Sequence, residues 1–314
     1  MHHQEGHFKG SDGLSLYYQC WHPKEPARAV LAIAHGMGGH SALFGNVVQA
    51  LVSKQIAVYG FDARGNGRSP GQRGYINAWA EFRDDLRLFL HWVRTQEPEQ
   101  PLFLLGHSVG AVIVLDYGLR CPEDADALQG VILSAPIIGQ TGVAPIKLLL
   151  GQLLSRVWPR FNLSTGLGSD TGARDPAIVA GYQKDPLRHG RVSARFGTEF
   201  LKTVAWIHAH AADWRLPLLI LHGGGDRVAL PDGGQRFFEQ AGCLDKERHE
   251  YPDAYHELFD DLDYPIVLAD LEDWLERHLP PALPLPDPLI ELSEEPSEWQ
   301  EPSTPFSVSD IKSA

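Results

Sequence analysis

The sequence predicts an α/β protein with a mostly parallel central sheet, helices on both faces and a helical cap insertion. Three observations carry that prediction. Short, almost wholly apolar runs alternate with amphipathic stretches at helical spacing. One apolar run, Pro101–Leu105, ends directly in Gly106-His107-Ser108-Val109-Gly110, a strand-to-helix turn built around a serine. The alternation then stops near Pro136 and resumes near Leu216, as expected of an insertion.

Taken in order, Ser11-Asp12-Gly13 is a turn signal and Leu14–Trp21 has strand character, so the chain opens on a hairpin. Arg28–Ala34 is nearly all apolar, as a strand covered on both faces should be. A helix is predicted from about Leu43 to Ser53, and a strand over Ile56–Phe61. Glu81–Thr95 is helical, because Leu86, Phe89, Leu90 and Val93 recur on one face. Val109–Tyr117 is the helix after the serine turn, and Val131–Leu133 is a strand. Leu218–Leu221 and Lys246–Tyr251 complete the sheet, and Tyr264–Leu279 is a closing helix. The expected organisation is a core of residues 1–135 and 215–280, a helical cap of 136–214 and a tail of 281–314. The tail follows a proline cluster (Pro280, Pro281, Pro284, Pro286, Pro288) and is acidic and polar, so it is expected to be disordered.

Composition bounds the function. The chain has 314 residues and 43% hydrophobic content, enough for a substantial core. Its formal net charge of -13 disfavours nucleic acid, because phosphate binding needs basic surface. The same charge predicts that any membrane contact is apolar and local rather than electrostatic. Cys20, Cys121 and Cys243 do not make a disulfide framework and read as buried thiols of a reducing, cytoplasmic compartment. No apolar signal segment opens the chain, and no apolar run is long enough to span a membrane.

The chemistry centres on Ser108. A serine hydroxyl needs a histidine to take its proton and a carboxylate to orient that histidine. On a sheet of this kind the acid and then the histidine come later in the chain, from loops after strands. Asp226 follows the strand Leu218–Leu221 through Gly223-Gly224-Gly225, and His256 follows Lys246–Tyr251. The loop after Val131–Leu133 begins Ser134-Ala135-Pro136 and offers no acid, which favours Asp226. Charge on a tetrahedral intermediate needs backbone donors. Val109, at the start of its helix, supplies one, and Met37, in the loop His35-Gly36-Met37-Gly38-Gly39-His40, is placed to supply the other.

The remaining candidates read as structural. His107 should point away from Ser108 on the tight turn, His35 shapes its loop, and His222 ends a strand. His208 and His210 are two apart and do not share a helix face, so no metal pair is expected; nor is a cofactor. Asp62, Arg64 and Ser69 are expected to fix the turn-rich loop after Phe61 by hydrogen bonds. The leucine-rich stretch Ile146–Trp158 has two readings, a helix buried against the core or an apolar lid facing an acyl chain or lipid surface.

Together these motifs resemble the monoacylglycerol lipase and lysophospholipase family of α/β-hydrolase-fold serine hydrolases. The resemblance rests on His35-Gly36-Met37-Gly38, Phe61–Ser69, Gly71-Gln72-Arg73-Gly74, Gly106–Gly110, His222–Asp226 and Tyr251–Leu258, and runs from about Leu14 to Leu279. It implies a cofactor-free esterase with a helical cap over a hydrophobic acyl tunnel. Ser108 is then the nucleophile, Asp226 the orienter, His256 the base and then acid, and Met37 and Val109 the oxyanion donors. The substrate is expected to be a small acyl ester or single-chain lipid, with peripheral membrane contact through the cap. Two positions depart from the family pattern. Val109 replaces the usual methionine after the serine, and Gly39 replaces the usual glutamate before His40. Monoacylglycerol hydrolysis leads; a lysophospholipase, a broad carboxylesterase or thioesterase, and an inactive binding protein on a hydrolase scaffold stay open.

Overall fold

The computed structural model describes residues 1–139, 145–166 and 171–280. The elements run β1 (His2–Lys9), β2 (Ser15–His22), β3 (Ala29–Ala34), α1 (Gly45–Ser53), β4 (Ile56–Phe61), α2 (Ala80–Gln96), β5 (Leu102–His107), α3 (Val109–Arg120), the short α4 (Pro122–Ala125) and β6 (Gly130–Ser134). They continue with α5 (Pro145–Val157), β7 (Asn162–Ser164), α6 (Pro176–Lys184), β8 (Arg191–Ser193) and α7 (Ala194–Ala209). The chain then returns through β9 (Leu218–Gly223), α8 (Pro231–Gln240), β10 (Lys246–Tyr251) and α9 (Tyr264–His278). The tail beyond Pro280 lies outside the described residues.

An eight-stranded sheet has the order β1-β2-β4-β3-β5-β6-β9-β10. β1 and β2 form an antiparallel hairpin, β2 runs antiparallel to β4, and every later pairing is parallel. The uninterrupted apolar runs belong to β3, β4, β5, β6 and β9, each buried at every position. Parallel strands covered by helices on both faces require that composition. One core layer packs Val47, Val48 and Leu51 of α1 and Val267, Leu271 and Trp274 of α9 against one face of the sheet. The opposite layer packs α2, α3 and α8 through Phe82, Phe89, Val112 and Phe237.

Two elements and one cysteine escape the sequence rules. β1 is polar and largely exposed, because it is the sheet edge and only Phe8 packs inward. α8 contains Gly233 and Gly234, which argue against a helix. Gly233 is needed because a Cβ there would stand 2.2 Å from the Gly139 amide nitrogen. Cys121 is half-buried rather than buried; Cys20 and Cys243 are buried, and all three are free thiols.

Between β6 and β9 the described residues form α5, α6 and α7 and the antiparallel pair β7–β8, whose residues are mostly half-buried or exposed. Of the described α5 residues, Gly151 and Leu154 are half-buried and Ser155 is buried. Leu150, Leu153 and Val157 face outward, with Trp158 exposed just beyond the helix.

The loop after β4 is fixed as its composition predicts. Asp62 accepts from the Ser41 amide and hydroxyl (2.8 and 2.7 Å) and from the Arg68 amide (2.7 Å). Arg64 is buried and donates to both oxygens of Asp85 (2.7 and 2.8 Å) and to Asp12 (3.1 Å). Burial works against the guanidinium's charge, but these carboxylates outweigh it and raise its pKa. Removing one partner of a buried pair strands the other charge. Arg64→Met should therefore cost about 3–5 kcal/mol in urea unfolding, and Arg64→Met/Asp85→Leu should recover most of the loss.

Candidate active site

Ser108 sits between β5 and α3 with φ 55° and ψ −117°, outside the regions most side chains adopt. Gly110 makes that turn possible, because a Cβ there would lie 2.0 Å from the Ala34 carbonyl oxygen. The Ser108 amide donates to the Ser134 carbonyl at 2.9 Å, which ties the elbow to β6.

The later loops bring in the two partners. His256 Nε2 lies 2.9 Å from Ser108 Oγ, and His256 Nδ1 lies 2.7 Å from Asp226 Oδ2. All three residues are buried. The loops are held to each other by Gly224 N to the Tyr251 carbonyl (2.7 Å) and Gly225 N to the Ala254 carbonyl (3.0 Å). The other Asp226 oxygen accepts from the Val228 and Ala229 amides at 2.7 and 2.9 Å. Burial alone would raise the Asp226 pKa. The neighbouring His222 and His256 rings and the Ala229 amide overcome this and hold the carboxyl well below its usual range. His222 Nε2 also lies 2.8 Å from the Ala229 carbonyl, so this strand-end histidine braces the Asp226 turn.

Val109 is the first residue of α3, where helical amides have no intrahelical acceptor. The loop after β3 packs against the elbow so closely that a Cβ on Gly36 would lie 3.1 Å from Ser108 Cβ. Met37 and Val109 both line the cavity above Ser108. His35 is a strut for this loop. Its Nε2 accepts from the Ala63 amide (2.9 Å) and its Nδ1 donates to the Gly36 carbonyl (2.6 Å), so the ring is neutral, and burial lowers its pKa.

The cavity holds about 340 Å³. Met37, Leu43, Phe44, Val109, Ile137 and Val228 give it apolar wall; Tyr182, Asp185, Arg188, His189, Glu257 and Asp260 give it polar wall. The segment between β6 and β9 supplies part of the polar wall and is bonded to two catalytic loops, those of Met37 and His256. The His189 amide donates to the Gly38 carbonyl (3.0 Å), the Glu257 amide to the Gly172 carbonyl (2.7 Å), and Tyr182 Oη to Asp260 (2.6 Å). Arg174 pairs with Asp261 and Asp263, each at 2.6 Å. His40, which follows Gly39, pairs with this segment: Asp185 Oδ2 lies 2.7 Å from His40 Nε2.

Glu257 lies within the motif Tyr251–Leu258 without a role assigned to it, and Asp260, Tyr182 and Arg188 carry no motif signal. His107 points away from Ser108, as expected, and toward Glu257 Oε2 at 3.1 Å. Arg188 lies 3.4 Å from the other Glu257 oxygen. Among the described residues no cluster of His, Cys, Asp and Glu could hold a metal ion, and no helix is long and apolar enough to cross a membrane.

A strained serine between parallel strand and helix, in line with an imidazole and a carboxylate, is the arrangement of α/β-hydrolase-fold serine hydrolases. Residues 25–263 match the family described as serine aminopeptidase, S33, and the chain belongs to this family, within its monoacylglycerol lipase branch of carboxylic ester hydrolases. It is 31% identical over 277 residues to the monoacylglycerol lipase of Mycolicibacterium smegmatis, covering 88% of this chain and 98% of that one. A crystal structure of Paleococcus ferrophilus monoacylglycerol lipase aligns with a TM-score of 0.75 and 30% identity, covering 84% and 99% of the two chains. A soluble variant of Saccharomyces cerevisiae monoglyceride lipase, in complex with a substrate analog, aligns at 0.79 with 25% identity over 88% and 96%.

Glu257 yields a pH prediction. Burial raises its pKa, but His107 and then Arg188 outweigh burial and hold it well below its usual 4.5. A depressed carboxyl stabilises the fold above its unfolded pKa, and the benefit is lost as pH falls through the folded value. Glu257→Gln should therefore be less stable than wild type at neutral pH in urea titrations, and the gap should narrow below about pH 4.5.

Proposed function

We propose that this protein hydrolyses monoacylglycerols to fatty acid and glycerol through an acyl-enzyme on Ser108. The observation that carries the proposal is the Ser108–His256–Asp226 line, with spacings of 2.9 and 2.7 Å, opening into a cavity with both apolar and polar wall. A single-chain ester has the same division, a hydrocarbon tail and a hydroxylated head. Each buried CH₂ is worth about 0.8 kcal/mol, so even a short apolar wall favours longer acyl chains. The names of the full-length relatives support the same substrate.

In this mechanism Ser108 Oγ attacks the ester carbonyl as His256 Nε2 takes its proton. Asp226 holds the ring with Nδ1–H toward itself and stabilises the imidazolium. The Met37 and Val109 amides receive the oxyanion, each donor contributing about 3 kcal/mol in comparable sites. His256 protonates the departing glycerol oxygen, then takes a proton from the water that releases the fatty acid and frees Ser108. Residues 136–214 act as the cap, their polar groups facing the leaving alcohol. The exposed apolar face of α5 makes the peripheral contact with the lipid phase that holds the substrate.

Ser108→Ala should fold normally and lose hydrolysis of every ester. Asp226→Asn should lower kcat about 10⁴-fold. Initial rates on monoacylglycerols, lysophospholipids, acyl-thioesters and short p-nitrophenyl esters test the substrate. The reading expects monoacylglycerols to be preferred; fastest turnover on short esters would make the enzyme a general esterase.

A further inference from the structure

The formal charge of -13 is unevenly spread. Residues 136–214 carry nine Lys and Arg against five Asp and Glu, so this segment is basic within an acidic chain. Residues 145–166 contain Lys147, Arg156 and Arg160 and no acidic residue. The same stretch carries the exposed apolar side chains Leu150, Leu153, Val157, Trp158 and Leu163. On α5 the first three follow helical spacing, so they share a face. Trp158 packs in a tilted arrangement on Phe161, with ring centroids 4.9 Å apart. Arg156, Arg160 and Arg191 are exposed. Arg191 is brought to this patch by the β7–β8 pairing, where it stands opposite Ser164, next to Leu163. Among the described residues none of the three arginines forms an ion pair. Arg160 instead lies over the Tyr75 ring at 4.7 Å.

Exposed leucines with a tryptophan and unpaired arginines suit one environment in particular. The apolar groups enter the boundary between headgroup and acyl chain, tryptophan prefers that depth, and guanidinium groups meet phosphates. A protein partner would have to supply acceptors for every arginine as well as a matching apolar face. A bilayer supplies both continuously.

We infer that the cap docks on anionic lipid, and that its arginines select a negatively charged bilayer over a neutral one. This rests on the reading that the α5 face contacts the lipid phase, and it differs from the expectation that such contact is free of electrostatics. Residues 1–135 and 215–280 carry 28 Asp and Glu against 17 Lys and Arg and are repelled by the same surface, so attraction and repulsion together orient the basic segment toward the membrane. Each arginine brought to an anionic surface is worth about a fivefold gain in partitioning.

The test is co-flotation of the full protein with vesicles of phosphatidylcholine, with and without a third of phosphatidylglycerol. Partitioning should rise strongly with phosphatidylglycerol and fall toward the neutral-vesicle level in about 1 M salt, where screening acts over about 3 Å. Arg156→Gln/Arg160→Gln should lower partitioning onto the anionic vesicles about 25-fold, the product of two such arginine contributions. Both residues are exposed, and unchanged hydrolysis of a soluble short ester checks that the variant is folded. Equal binding to both vesicle types, binding indifferent to salt, or no binding at all would overturn the inference. Flotation needs no turnover, so its failure is distinct from a failure of the proposed hydrolysis.

Discussion

The backbone of one residue governs this structure. Ser108 is held at a positive φ, a conformation that costs a non-glycine residue about 1–3 kcal/mol and persists only where its surroundings leave no alternative. Those surroundings are visible on every side. β5 delivers the chain from the buried middle of the sheet, and α3 carries it away at once. Gly110 lets the first turn of that helix pass against the Ala34 carbonyl, and Ser134 accepts the Ser108 amide. The strain aims the hydroxyl out of the sheet and leaves the Val109 amide facing the same space.

What surrounds the serine is assembled from loops, yet few of its parts are free to move independently. The Asp226 and His256 loops are bonded backbone to backbone, the His35 ring braces the Met37 loop against Ala63, and the segment between β6 and β9 is bonded to the Met37 and His256 loops. Burial then sharpens the electrostatics. Asp226 remains ionised because its hydrogen bonds outweigh desolvation, and an ionised acid is what a charged imidazole requires.

Much of this was legible in the sequence. Buried parallel strands leave continuous apolar runs, so the central strands were easy to place. Ser108, Asp226 and His256 follow strands in the chain order that the fold imposes, and the structure brings all three together. Other parts left weaker traces. β1 is an edge strand with water on most of its length, so its sequence alternates poorly. α8 hides behind glycines required by a neighbouring backbone. Asp185 and Arg188 reach the cavity from a segment without strand periodicity, and their partners His40 and Glu257 are far away in sequence. Net charge is silent on distribution: a sum over 314 residues conceals the basic composition of residues 136–214.

The account depends on Ser108 becoming covalently acylated with His256 as its base. The most direct measurement is mass-spectrometric mapping of the protein after reaction with a long-chain alkyl fluorophosphonate, on wild type and on His256→Ala. The account predicts one phosphonyl group per chain, on Ser108, with labelling slowed by orders of magnitude in the variant. Label on another residue, or equally fast labelling without His256, would contradict it.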